Sequence, residues 1–314
     1  MPYFSIIIPV YNRPDEVNDL LESLSKQTYK DFEVIIVEDG STVCCADAVK
    51  RYASIVDIHY YYKENEGRSI ARNYGLERAV GSYFIFFDSD CVIPEGYFEA
   101  LNAVLNRHYT DCFGGPDAAH DSFSDVQKAI NYSMTSFLTT GGIRGGKVQL
   151  EKFTPRTFNM GFSREVYDRV GGFREMFSED IDAFVYHKRR ISMRLFFRQI
   201  YIFGMSRISL YLLYPDTLKL VHWFPACFVI GTLAMIIASF FWWPAILPLA
   251  MYLFAVFLVS WCVNKRLKIA ALSVVASIIQ LGGYGMGFLK AFFYKVLLGR
   301  GRDEAEEVRL RKGK

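Results

Sequence analysis

Between Thr217 and Arg302 the chain carries no aspartate or glutamate, and Leu, Ile, Val, Phe, Ala and Trp dominate. An uncharged apolar stretch of about 18 residues or more suits a bilayer, where only structures that satisfy every backbone group internally survive. This half of the chain is thereby limited to helices. Residues 221–242 and 245–263 read as membrane spans joined by a turn at Trp243-Pro244, with Trp223, Trp242, Trp243 and Trp261 at the run ends as an interfacial aromatic belt requires. The basic link Asn264-Lys265-Arg266-Leu267-Lys268 then belongs on the cytoplasmic side. A third apolar run, 269–289, has two readings. It crosses and carries a Lys- and Arg-rich tail to the far side, or it dips and returns at Gly282-Gly283-Tyr284-Gly285-Met286-Gly287.

The front half has a different grammar. Short apolar runs at 4–9, 32–37, 55–62 and 83–87 alternate with helical patterns at 14–25, 46–53 and 69–79; Leu20, Leu21 and Leu24 fall on one face of the first helix. Strands rich in Ile, Val and Phe and joined by helices imply a mostly parallel sheet covered on both faces. Ligands of such sheets bind at the carboxyl ends of the strands. Pro9, Asp39 and Asp88 each fall just past a strand end, so one crevice is expected to collect them. A net charge of +3 is too small to argue for nucleic acid. Basic residues from His187 onward suit anionic lipid or a diphosphate better. The six cysteines show no metal-ligand spacing and read as reduced thiols. Met1-Pro2-Tyr3 and the short run after it do not make a signal peptide, which places the front half on the cytoplasmic side.

Four short motifs carry chemistry. Asp88-Ser89-Asp90 closes the oily run Tyr83-Phe84-Ile85-Phe86-Phe87. Two carboxylates at i and i+2 on a strand end can hold Mg²⁺ or Mn²⁺ against a diphosphate. Pro9-Val10-Tyr11 can offer backbone groups and an aromatic edge to a base. Arg68 and Arg72, four apart at a helix start, share a face and can meet base or phosphate. Ser178-Glu179-Asp180-Ile181-Asp182 is a second acidic cluster.

These motifs, with Val37-Glu38-Asp39-Gly40-Ser41, Asn65-Glu66-Gly67-Arg68 and Ala71-Arg72-Asn73, resemble in order and spacing the family 2 glycosyltransferases of the GT-A fold. The resemblance covers residues 4 to 182. It implies a Rossmann-like, mostly parallel α/β catalytic domain followed by a C-terminal transmembrane helical region. It also implies an inverting transfer of sugar from a UDP- or GDP-sugar. The nucleotide would lie on Pro9, Tyr11, Asp39, Arg72 and Asp88, with Asp39 taking a base N–H in preference to Glu38. A Mg or Mn ion would sit on Asp88 and Asp90. Asp180 would act as the base on the acceptor hydroxyl, with Glu179 or Asp182 supporting. Bacterial members of similar layout are membrane-attached and build exopolysaccharide or lipid-linked glycans. That implies an acceptor such as a polyprenyl-diphosphate glycan and a multi-pass location in the inner membrane, with the catalytic domain cytoplasmic.

The expected division is therefore 1–187 for the catalytic domain and 188–220 for a basic amphipathic segment lying in the membrane interface. A transmembrane region at 221–298 and a charged tail at 299–314 follow. The glycine-rich stretch 113–157 reads as a mobile loop over the crevice or a plain surface connection. Relatives usually continue from the acidic cluster through a helix and a strand before a basic segment; this chain runs from Asp182 to His187 and Lys188-Arg189-Arg190 almost directly. The alternative reading follows from that gap: a catalytically impaired relative that binds nucleotide or partners. A nucleotidyltransferase would share the strand-end carboxylates, but the chain lacks a glycine- and lysine-rich triphosphate loop near its start.

Overall fold

The strands grow from the runs of Ile, Val and Phe already visible in the sequence. In the computed structural model, residues 3–115, 117–118, 120–141, 158–172, 179–180, 185–187, 191–213 and 215–299 are described. The chain divides into two compact units, Met1–Asp121 with Ile143–Lys188, and Ser122–Gly142 with Arg189–Lys314.

The first unit opens with β1 (Phe4–Val10), α1 (Pro14–Ser25), β2 (Phe32–Asp39), α2 (Ala46–Tyr52), β3 (Ile58–Lys63), α3 (Arg68–Leu76) and β4 (Tyr83–Phe86). Then come β5 (Cys91–Val92), α4 (Tyr97–Arg107), β6 (Cys112–Gly114) and β7 (Asp117–Ala118). The chain passes into the second unit for α5 (Asp125–Thr135) and α6 (Phe137–Thr140). It returns for β8 (Met160–Ser163), α7 (Arg164–Val170), β9 (Glu179–Asp180) and β10 (Val185–His187). The second unit resumes with α8 (Met193–Leu213), α9 (Phe224–Ser239), α10 (Leu247–Asn264) and α11 (Leu267–Ala291).

Seven strands form a mixed, mostly parallel sheet in the order β3-β2-β1-β4-β8-β6-β9, with β8 antiparallel to both its neighbours. A small sheet pairs β5, β10 and β7. Strand alternation sorts the side chains into two cores. Ile6, Ile8, Val34 and Ile36 pack with Val17, Leu20, Leu21 and Leu24 of α1. Ile7, Ile35, Val37, Phe84 and Phe86 pack with Ala71 and Leu76 of α3. Each such side chain contributes about 1.5–3 kcal/mol by leaving water, which makes these central strands the rigid base of whatever sits at their ends. The third strand begins later than residue 55. The amides of Ile55 and Val56 both bond the Tyr52 carbonyl and close α2, and the pairing with β2 starts where Val34 donates to the Asp57 carbonyl.

Residues 113–157 are not one loop. Ser124 caps α5, and the reciprocal bond from its own amide to Gln127 completes a capping box. That signal was present in Ser124-Asp125-Val126-Gln127, but nearby glycines outweighed it. Gly145 and Gly146 lie outside the described residues, as do Asp182 and the Lys188-Arg189-Arg190 segment.

In the second unit, α11 removes one of the two readings of the third apolar run. It runs unbroken from Leu267 through its glycines to Ala291, so the third apolar run does not dip and return there. These glycines serve close approach instead. A side chain on Gly287 would strike the Tyr201 carbonyl of α8, one on Gly285 the Pro225 carbonyl of α9, and one on Gly204 of α8 the Tyr284 carbonyl. The basic, aromatic segment accordingly packs one face of α8 on α11: Phe196, Ile200 and Ile208 are fully buried. Gly287→Val should force α8 and α11 apart and cost about 2 kcal/mol or more, read as a lower Tm of the detergent-solubilised chain.

Three segments, Leu220–Ser239, Trp243–Asn264 and Leu267–Leu297, are long and apolar enough to cross a membrane. The first two are 6% and 11% buried within the protein and the third 50%. Where α10 meets α11, the Ser260 hydroxyl bonds Ser273 Oγ at 2.7 Å and Asn264 Nδ2 bonds the Ser260 carbonyl at 3.0 Å.

Candidate active site

Parallel pairing of β2, β1 and β4 brings their carboxyl ends side by side, and the motif residues cluster there. Each corner is held by a specific contact. Past β1, Asn12 sits in the left-handed region at φ 54. It is kept there by the 41–43 segment: Asn12 Oδ1 accepts from the amides of Thr42 (2.8 Å) and Val43 (3.0 Å), and Ser41 Oγ accepts from the Asn12 amide (2.8 Å). A strained residue held by several bonds is a common device of functional loops. Tyr11 beside it is exposed and Pro9 half-buried.

The turn after β4 carries Asp88 and Asp90, and each carboxylate has an arginine. Arg72 Nη2 reaches Asp88 Oδ1 at 2.7 Å, and Arg13 Nη1 reaches Asp90 Oδ2 at 2.6 Å. Arg72 is 2% exposed. Burial presses its guanidinium below the usual arginine value, and Asp88 offsets part of that. Burial also opposes the charge on Arg13, but Asp90 outweighs it and raises the group above its ordinary value. Arg68 stays exposed at the start of α3.

Asp39 is held by several contacts of its own. Its carboxylate accepts from the Glu66 amide (3.0 Å), the Gly67 amide (2.9 Å) and Lys63 Nζ (3.0 Å). It therefore ties the end of β2 to the loop that launches α3. Burial pushes Asp39 up, but the Glu66 amide, Lys63 and the Gly67 amide together hold it below the ordinary carboxyl value. A depressed acid stabilises the fold fully above its unfolded value, here 3.8, and the benefit is lost as pH falls through the lower folded value. Asp39→Asn should leave buried donors poorly matched and cost about 1–3 kcal/mol. Urea unfolding should show that gap constant from pH 5 to 8 and closing below 3.8.

Glu38 points elsewhere. It is fully buried and accepts from the Cys45 amide and thiol, both at 3.0 Å, and from the Tyr60 hydroxyl at 3.1 Å. Burial and this carboxylate push the Cys45 thiol well up, which suits an inert structural cysteine.

The second acidic cluster lies at the far edge of the same sheet. Phe113 pairs with Glu179 and Gly114 with Asp180 in parallel. Two antiparallel steps through β8 restore the direction of β4, so Asp180 ends its strand on the same side of the sheet as Asp39 and Asp88. The register Phe86, Met160, Gly114, Asp180 spans three strand spacings, roughly 14 Å of backbone. The motif reading assigned no role to Arg13, Asn12 or Lys63; their significance comes from partners up to 77 positions away in the chain.

The site fits one kind of metal. Among the described residues no three His, Cys, Asp or Glu side chains converge as a closed ligand set. Two oxygen ligands at a strand end suit a hard divalent ion that completes its shell with phosphate and water, and they do not suit a structural zinc.

The sequence model described as Glycosyl transferase family 2 matches residues 5–171. An uncharacterized glycosyltransferase of Rickettsia felis is 44% identical over 90 residues, which cover 27% of this chain and 14% of the relative. A putative teichuronic acid biosynthesis glycosyltransferase of Bacillus subtilis is 43% identical over 91 residues, 28% of this chain and 36% of the relative. The chain thus spans well under half the length of these curated relatives. Among solved structures, a mannosyltransferase of Pyrobaculum calidifontis in complex with GDP-Man and Mn²⁺ shares the fold. Its TM-score is 0.56 at 16% identity, over 90% of this chain and 87% of that one.

Proposed function

Because this chain belongs to glycosyl transferase family 2, we propose that it moves a sugar from a UDP- or GDP-sugar to an acceptor hydroxyl, with inversion at the anomeric carbon. The observation that carries this reading is the pair of strand-end carboxylates, each countered by an arginine, beside the ends of β1 and β2. The GDP-Man and Mn²⁺ held by the mannosyltransferase of similar fold support the donor class and the ion.

Asp88 and Asp90 would hold a Mg or Mn ion, which when bound offsets charge on the departing nucleoside diphosphate. Arg72 fixes Asp88 and lends positive charge to the phosphates, while Pro9 and Tyr11 frame the base. Asp39 shapes that corner by anchoring the loop before α3. Asp180 would take the acceptor hydroxyl proton as the oxygen attacks the anomeric carbon and the bond to the diphosphate breaks; Glu179 assists from the adjacent position. A span of roughly 14 Å between the two acidic clusters leaves room for a sugar and a diphosphate between them.

The domain division follows the same reading: a catalytic region 1–187, a basic segment 188–220, a membrane region 221–298 and a tail 299–314. Spans in the inner membrane and a cytoplasmic catalytic domain would bring the site to a lipid-linked acceptor such as a polyprenyl-diphosphate glycan. The test is transfer of label from a panel of UDP- and GDP-sugars to lipid extracts, in detergent with Mn²⁺. Label entering the lipid phase supports the reading. The direct run from Asp182 to His187 favours the second reading, a relative that binds donor but transfers poorly. Nucleotide binding without turnover on any donor would select it.

A further inference from the structure

We propose that Arg13 is a tethered counter-cation that occupies Asp90 in the metal-free site and is displaced from it when the divalent ion binds. This rests on the reading of Asp88 and Asp90 as metal ligands. The argument begins from charge. Two carboxylates two residues apart repel unless each is compensated, and here a guanidinium lies within 2.7 Å of each. A divalent ion entering between them neutralises both carboxylates and repels both guanidinium groups.

Exposure decides which one leaves. The Arg72 side chain is 2% exposed and rises from within α3, so moving it would unpack the helix from the sheet. Arg13 is 32% exposed at the lip of the site, just ahead of α1. Its backbone is fixed by the bonds that pin Asn12, yet its side chain borders solvent on the outer side. The contact engages Asp90 Oδ2, so the guanidinium and an entering ion draw on the same carboxylate charge.

Competition for one carboxylate has a thermodynamic consequence. The ion binds only the fraction of molecules in which Arg13 has let go, so its apparent affinity is reduced by that fraction. Arg13→Met keeps the length and removes the charge. It should tighten Mn²⁺ binding by about 1.5- to 5-fold, the span expected for loss of one partly exposed ion pair. Arg51→Met is the control, because Arg51 is an exposed arginine of α2 that bonds Asn18 and neither carboxylate. It should leave Mn²⁺ affinity unchanged.

The measurement is free Mn²⁺ by electron paramagnetic resonance over donor-free, detergent-solubilised full chain, with thermal unfolding to verify that each variant is folded. Tighter binding in Arg13→Met alone is the expected result. Unchanged or weaker binding in Arg13→Met, or equal tightening in Arg51→Met, overturns the displacement. If wild type takes up no Mn²⁺ even with UDP or GDP present, the metal-site reading falls and this inference with it. If wild type binds Mn²⁺ and Asp90→Asn does not, the metal site stands and the Arg13 result is judged alone.

Discussion

Asparagine at Asp90 is expected to lower sugar transfer by about three orders of magnitude, some 4 kcal/mol of transition-state stabilisation. The amide keeps the shape of the side chain and removes the charge that a divalent ion needs. Arg13 loses its partner but lies partly exposed, so the fold should hold and Tm should change little. Asp88→Asn should cost activity to a similar degree and also stability, because it leaves the Arg72 guanidinium buried without its carboxylate. Removing one partner of a buried pair typically costs about 3–5 kcal/mol, and the 29% exposure of Asp88 places this case toward the lower end. Activity assays paired with thermal unfolding separate the two: equal loss of turnover, unequal loss of Tm.

Asp180→Asn is expected to lower kcat by about 10²- to 10⁴-fold, the usual worth of a positioned base, while donor and Mn²⁺ binding stay at wild-type levels. The division follows from position. Asp180 ends β9 at the sheet edge, three strands from β4, whereas the donor-side residues cluster at the ends of β1, β2 and β4. Transfer to lipid extract and calorimetric titration of UDP or GDP read the two properties separately. A variant that loses nucleotide binding together with turnover would place Asp180 on the donor side and contradict its role as base.

The proposed donor half of the site is legible because it is written locally. Oily strands such as Tyr83-Phe84-Ile85-Phe86 are buried on both faces, so composition alone announces them, and the residues just past each strand end collect at the carboxyl edge of the sheet without further information. What escaped depends on distant partners. Nothing near Arg13 in the chain signals Asp90, and nothing near Asp39 signals the amides of Glu66 and Gly67 that occupy it. Asp39 could be located from sequence, but its engagement could not. The glycines of α11 were misleading for a related reason: glycine weakens an isolated helix, and only the carbonyls of Tyr201 and Pro225 on facing helices explain why it is wanted at 287 and 285. In α5 the local signal was correct, and the Ser124–Gln127 capping box mattered more than the glycines that follow.

The central claim is a metal-assisted nucleoside-diphosphate site at the ends of β1, β2 and β4. Calorimetric titration of UDP and GDP onto the detergent-solubilised chain, in Mn²⁺ and in EDTA, tests it most directly, with Asp90→Asn alongside. One of the two nucleotides should bind in Mn²⁺ and weaken by about tenfold or more both in EDTA and in the variant. Binding of neither nucleotide, or binding equal in all conditions, would contradict the account.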